Sequence, residues 1–403
     1  MKTTLTHLAA LLLASISSIK STSFILGALF CAGQASYADN PASVQHVRVF
    51  QEAGRFAAWP ANGGMWAWGN EILVCYTEAD HLDITGHSYD RATAWSMFAR
   101  SLDGGETWTR EDAYAQGITG AGHDHRVHQG KPLRSLAEPI DFSHPDLAML
   151  FHRQHIHQGD SFFYYTVDRG KSWAGPFKFP RLDTNGLAAR TDYIIDGPRE
   201  ALVFLTATKN DGREGRIAAF RTEDGGVTWR RIAWIGDEPE TGRDFAIMPA
   251  SVRLAPAKVL TVIRHRGGNA GNGKKDHTRL TSFLSEDNGH TWKQVADPVP
   301  DNVNNPAALI KLPDGRLVLA YVFRNRDADG SSVCAKISLD GGQSWGPEIV
   351  LREKEGASGD VGYPRIVRRS DDKLVISYYW NHALRKDLPP YRYIAATIWD
   401  LEK

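Results

Sequence analysis

Six runs along the chain are strand-like and largely apolar: EILVCYTE (71–78), LAMLFHR (147–153), ALVFLTATK (201–209), KVLTVIRH (258–265), RLVLAYVFR (316–324) and KLVISYYWN (373–381). Each follows another short apolar segment, and most lead into a further strand-like stretch. Outside the N-terminal segment no stretch keeps an amphipathic helical period. The pattern predicts an all-β chain of antiparallel sheets.

Between these runs one phrase recurs. SLDGGETW (101–108), TVDRGKSW (166–173), TEDGGVTW (222–229), SEDNGHTW (285–292) and SLDGGQSW (338–345) all fit [Ser/Thr]-x-Asp-x-Gly-x-[Ser/Thr]-Trp. Their starts lie 65, 56, 63 and 53 residues apart, a spacing that signals a propeller or solenoid. Asp and Gly form turns, the paired hydroxyls tie a hairpin, and Trp supplies an apolar plate between neighbours. A residue supplied five times is architecture, so Asp103 is expected to hold a turn on the face away from any pocket. All five tryptophans are expected to be buried between blades. Six strand-rich units predict a six-bladed β-propeller of four-stranded antiparallel blades. HVRVF (46–50) would complete the sixth blade and close the ring.

The N-terminus changes the picture. Lys2 and Lys20 precede SFILGALFCAG (23–33), and small residues follow up to Ala38. This predicts a signal peptide over 1–38, a single propeller domain over 39–403, and a secreted or periplasmic protein. The apolar run is too short to span a membrane comfortably. Cys75 and Cys334 remain, both in strand-like runs and expected to be buried thiols. The 47 basic and 47 acidic side chains balance, which leaves no global footprint for nucleic acid or an anionic membrane. Anion recognition must come from a local cluster.

A recurrent x-Pro phrase indexes the start of each innermost strand: WPA (59–61), EPI (138–140), MPA (248–250), NPA (305–307) and YPR (363–365), with TDY (191–193) in the third blade. Trp59, Glu138, Asp192, Met248, Asn305 and Tyr363 would ring a central pocket. Loops after the second strands would add Glu78, Asp80, His152, Arg153, Lys209, Arg213, Arg264, Arg266, Arg324, Arg326 and Asn381. Guanidinium groups bind carboxylates bidentately and stay charged, so the set suits an acidic sugar.

The repeats resemble Asp-boxes (bacterial neuraminidase repeats), and the chain is similar to the sialidase superfamily along nearly its whole mature length. The resemblance implies that Tyr363, in GDVGYPR, is the nucleophile; sialidases use Tyr in place of a second carboxylate. It implies Arg264 and Arg324, with Arg326 a near rival, as carboxylate-binding arginines. The acid/base would come from TEADHLDITGHSYDR (77–91), where Asp80 is favoured. Two positions depart from the pattern. Ala58 stands where the first arginine belongs, and Met248 where the glutamate activating the tyrosine belongs. Glu138, Asp192 or His152 would then supply the missing acid/base chemistry.

HDHRVH (123–128) and HRQHIH (152–157) are histidine-dense, but no spacing matches a familiar metal-ligand motif. No metal or cofactor is expected. The expected function is an exported sialidase-like glycoside hydrolase that removes a terminal acidic sugar from a glycan. A polysaccharide lyase acting on a uronic acid and a non-catalytic glycan-binding propeller stay open.

Overall fold

The protein is seen in a computed structural model, which describes residues 44–84, 86–119, 132–240, 242–267, 278–301, 303–327, 330–356, 360–382 and 391–401. The predicted signal segment, the HDHRVH run and the Arg326 side chain lie outside what is described. Strand β1 (Val44–Phe50) comes first among the described residues. Blade one holds β2 (Arg55–Ala58), the one-turn helix α1 (Pro60–Gly63), β3 (Gly64–Trp68), β4 (Glu71–Asp80), β5 (Trp95–Ser101) and β6 (Thr109–Glu111). Blade two holds β7 (Ala148–Arg153), β8 (Ser161–Thr166) and β9 (Ala174–Phe179). Blade three holds β10 (Leu187–Ala188), β11 (Tyr193–Ile195), β12 (Ala201–Thr208), β13 (Glu214–Thr222) and β14 (Arg230–Ile235).

Blade four is β15 (Phe245–Ala255), β16 (Lys258–Arg266), β17 (Thr278–Ser285) and β18 (Lys293–Val299). Blade five is β19 (Ala307–Lys311), β20 (Leu317–Asp327), β21 (Gly330–Ser338) and β22 (Ile349–Gly356). Blade six is β23 (Gly362–Arg368), β24 (Leu374–Trp380) and β25 (Tyr393–Trp399), completed by β1 pairing antiparallel with β25, Val44 opposite Trp399. The ring is therefore closed by the N-terminal strand, as expected. Innermost strands β15, β19 and β23 touch in turn, and β23 reaches α1 and β3. The result is a six-bladed β-propeller.

Each central strand is buried on both faces, and successive side chains point to opposite blade interfaces. Leu202 and Phe204 enter the core against blade four, while Val203 and Leu205 enter the core against blade two. Six apolar clusters result, one for each blade interface. Cys75 is buried between blades one and two and Cys334 between blades four and five.

The five repeats make one turn five times. Ser101 Oγ donates to Asp103 Oδ1 at 2.8 Å and accepts the Gly105 N–H at 2.7 Å. Asp103 accepts the Thr107 N–H at 2.9 Å and its hydroxyl at 2.6 Å. The same bonds recur at Asp168, Asp224, Asp287 and Asp340. The repeats begin opposite the first residues of β4, β7, β12, β16 and β20, at the far end from Asp80, Arg153 and Arg266. Trp173 and Trp229 are buried, but Trp108, Trp292 and Trp345 are only partly so. These three cover the rims of their clusters instead of entering them.

Blade two departs from four strands, with three among the described residues. Residues 138–142 run beside blade three's repeat instead of forming an inner strand: the Ile140 N–H donates to the Gly225 carbonyl at 2.9 Å. The bare edge of β7 is covered by side chains from blade three. Thr191 Oγ1 accepts the Phe151 N–H at 3.1 Å, and the Tyr193 hydroxyl accepts that of Met149 at 3.2 Å.

Candidate active site

Three x-Pro residues share an unusual backbone. Trp59, Met248 and Tyr363 have φ of 63°, 56° and 54°, left-handed values that non-glycine residues rarely adopt. Each interrupts an innermost strand. Blade one inserts α1 there, while blades four and six bulge between Ile247 and Ala250 and between Gly362 and Arg365. The turn brings Met248 and Tyr363 into one small cluster with Ala61, Ile247 and Phe245.

Tyr363 meets guanidinium groups from successive blades. Arg264 Nη1 donates to its hydroxyl at 3.3 Å, and the guanidinium carbons of Arg264 and Arg324 lie 6.0 and 5.6 Å from its ring centre. Burial pushes the phenol up, yet Arg264, Arg324 and Arg190 outweigh it and hold it below its ordinary value, with Glu214 opposing them. Arg190, from the break between β10 and β11, donates to Glu214 and Asn62, both at 3.1 Å. Arg264 is buried, donates to Asn304 Oδ1 and lies over the Phe245 ring at 5.1 Å. Arg324 donates to the Val361 carbonyl at 2.7 Å and to the Tyr379 hydroxyl at 2.9 Å.

Met248 puts its sulfur 4.0 Å from Arg264 Nη1. This is where the resemblance calls for a carboxylate, and a thioether offers no proton acceptor of comparable strength. The charge of Glu214 opposes the pull of the arginines on Tyr363. Asn305 is fully buried, and its Oδ1 accepts the Tyr363 N–H at 3.0 Å. It positions the tyrosine backbone.

Several other expected site residues are placed elsewhere. Glu138 is exposed beside blade three's repeat, because blade two lacks the inner strand that EPI was expected to start. Asp192 is buried, taking the Ser251 hydroxyl at 2.7 Å and its N–H at 3.2 Å. It ties blade three to blade four. Burial pushes its carboxyl up to about 7 against the pull of Arg365 and Ser251. Arg365 itself donates to the carbonyls of Ala61, at 2.6 Å, and Thr191. His152 is buried with Nε2 3.3 Å from Ser96 Oγ, an interblade contact.

Asp80 is half-exposed and ion-paired with Arg55. Lys209 is buried, its ammonium on Asp211 and on the Glu240 carbonyl, both at 3.0 Å, while Arg213 is exposed on the same loop. Trp59 is buried against Phe56, His87, Tyr89 and Tyr379, so its faces are core surface. Arg190, Glu214, Asn304 and Tyr379 were not singled out by sequence. Arg190 stands two residues before the chosen Asp192, and Glu214 lies inside the basic loop KNDGREGR (209–216). Among the described residues, no group of three or more His, Cys, Asp or Glu is placed to hold a metal, and no helix is long and apolar enough to cross a membrane.

Solved structures share this fold at low identity. A protein of unknown function from Dyadobacter fermentans is 20% identical, with a TM-score of 0.63 over 88% of this chain and 98% of that one. An α-L-arabinofuranosidase from Fusarium graminearum is 12% identical, with a TM-score of 0.58 over 89% and 98%. The NanB sialidase of Streptococcus pneumoniae is 10% identical, with a TM-score of 0.56 over 88% and 70%. No curated protein sequence matches. The BNR repeat-like domain profile matches residues 98–376, a span holding all five repeats and reaching Tyr363. The chain belongs to the BNR repeat-like domain family.

Proposed function

We propose that the protein is a glycoside hydrolase that removes a terminal acidic sugar, with Tyr363 as nucleophile. The observation that carries this reading is the approach of Arg264 and Arg324 to one phenol. Guanidinium groups at that position serve two ends. They favour the phenolate that attacks an anomeric carbon, and they match a sugar carboxylate with charge-assisted bonds. Glu214 takes the part of the carboxylate missing at Met248, drawing the phenolic proton while Arg190 holds it in place. The arabinofuranosidase and sialidase among the structures of like fold support carbohydrate chemistry on this scaffold. Export through the N-terminal segment belongs to the same reading, since polymeric glycans are met outside the cell.

One observation also favours a lyase acting on a uronic acid. A phenol held below its ordinary value is a competent base, and the same arginines would neutralise the uronate. The test is incubation of the purified protein with sialylated and uronate-terminated oligosaccharides, read by mass spectrometry. A free acidic monosaccharide carrying one added water, lost in Tyr363→Phe, is the expected product. An unsaturated, ultraviolet-absorbing product supports the lyase. Binding with no product overturns both.

A further inference from the structure

Three residues before Tyr363, a carboxylate of blade six meets a histidine from blade one. His87 lies in the loop between β4 and β5, and its Nδ1 is 2.8 Å from Asp360 Oδ1. The two are 273 residues apart in sequence, so only ring closure brings them together. Asp360 stands three residues before Tyr363 and is buried. It also accepts the Tyr379 hydroxyl at 2.7 Å, and Arg392 Nε is 3.1 Å from its other oxygen. Burial pushes this carboxyl up, but His87, Arg392 and Tyr379 outweigh it and keep Asp360 an anion.

The imidazole itself is 48% exposed. It stands edge-on to Trp59 at 5.1 Å, Trp59 to Tyr379 at 6.3 Å, and Tyr379 to Tyr363 at 6.0 Å. Trp59 and Tyr379 thus link His87, from blade one, to Tyr363, whereas the arginines come from blades three, four and five. Asp80, the last residue of β4, is held by Arg55.

We propose that His87 is the general acid/base of the cleavage, with Asp360 a positioning residue that fixes its tautomer. The assignment rests on the hydrolase reading above. With Nδ1–H on Asp360, Nε2 is the nitrogen that gains and loses the proton. In the first step Nε2–H passes its proton to the glycosidic oxygen as the anomeric C–O bond breaks. The Tyr363 oxygen, its own proton passed to Glu214, bonds to the anomeric carbon, and the aglycone leaves as an alcohol. In the second step neutral His87 takes a proton from water, whose oxygen displaces Tyr363. Glu214 returns the phenolic proton, and one water has been consumed.

The pairing is read by NMR of the full chain with isotope-labelled histidine ring nitrogens. His87 is expected to carry its proton on Nδ1, the nitrogen that faces Asp360, and to lose that preference in Asp360→Ala. An Nε2–H tautomer in the wild type, or an unchanged tautomer in the variant, overturns the pairing and the proposal. The acid role is read on methyl and 4-nitrophenyl glycosides of N-acetylneuraminic, glucuronic and galacturonic acids. His87→Gln is expected to lower kcat/KM roughly 100-fold or more on the methyl glycoside, whose leaving group needs a proton, and less than about 10-fold on the nitrophenyl glycoside. Equal losses on both, or none, overturn the acid role while Tyr363-dependent cleavage stands. If the wild type cleaves none of these glycosides, the hydrolase reading falls and the acid role with it.

Discussion

Asn305 holds Tyr363 by the backbone: its Oδ1 accepts the tyrosine N–H at 3.0 Å while its Nδ2 donates to the Val361 carbonyl at 3.2 Å. One fully buried amide therefore grips both sides of Gly362, whose φ of 114° suits glycine alone. A Cβ at Gly362 would run into the Asn305 side chain. The left-handed turn that carries Tyr363 is clamped from the neighbouring blade.

Replacing that clamp should uncouple the tyrosine from the arginines. Asn305→Leu leaves the buried Tyr363 N–H unmatched, while Arg324 still holds the Val361 carbonyl, at a cost of about 1–3 kcal/mol. Denaturant unfolding should register that loss. In the folded fraction kcat should fall more than KM rises, because the phenol is misplaced while the arginines remain.

Tyr363 should ionise early. Ultraviolet titration of the native protein is expected to show one tyrosine losing its proton below the usual value near 10, absent in Tyr363→Phe. Arg264→Met removes the nearest cation and should move that step upward. A step that stays put in the methionine variant would mean that Arg264 does not govern the phenol.

The repeat turns give the fold an acid-sensitive component. Burial raises the Asp103 and Asp287 carboxyls, but bonds from Thr107 and Ser101, and from Thr291 and Ser285, together outweigh it and hold both at about 2. A carboxyl lower in the folded state than its unfolded value near 4 stabilises the fold above that value. The contribution is lost as pH falls from about 4 through about 2. Asp103→Ala should cost about 1 kcal/mol near neutrality, less where solvent screens the turn. Its unfolding free energy should depend less on pH in that window, with turnover by the folded protein unchanged.

Asp192 acts in the opposite sense. Its folded value near 7 lies above the unfolded one, so the native state binds the extra proton. Its contribution is fully present below about 4 and is lost as pH rises through about 7. Asp192→Asn should flatten the decline of unfolding free energy between those limits. An identical decline in the variant would assign it to other groups.

The blades and their repeat turns were legible in the sequence because both rest on local rules. Strand-rich runs and Asp-Gly turns need no knowledge of distant residues, and HVRVF was recognisable as the strand that closes the ring. The x-Pro phrase located Met248 and Tyr363, since a bulged inner strand carries its mark in two adjacent residues. It failed at Glu138, where the chain skips the inner strand and Thr191 and Tyr193 cover the bare edge of β7. It also led to Asp192, although the blade-three cation whose charge acts on Tyr363 is Arg190, two residues earlier. Two positions along a broken strand exchange axis for interface, and the sequence carries no mark of that. The pairing of His87 with Asp360 was invisible for a stronger reason: it spans nearly the whole ring and exists only once blade six has closed against blade one. Composition and local pattern determined that a propeller forms and where its turns lie. Which charges meet at its centre was decided by closure, because electrostatic partners across the axis share no stretch of sequence.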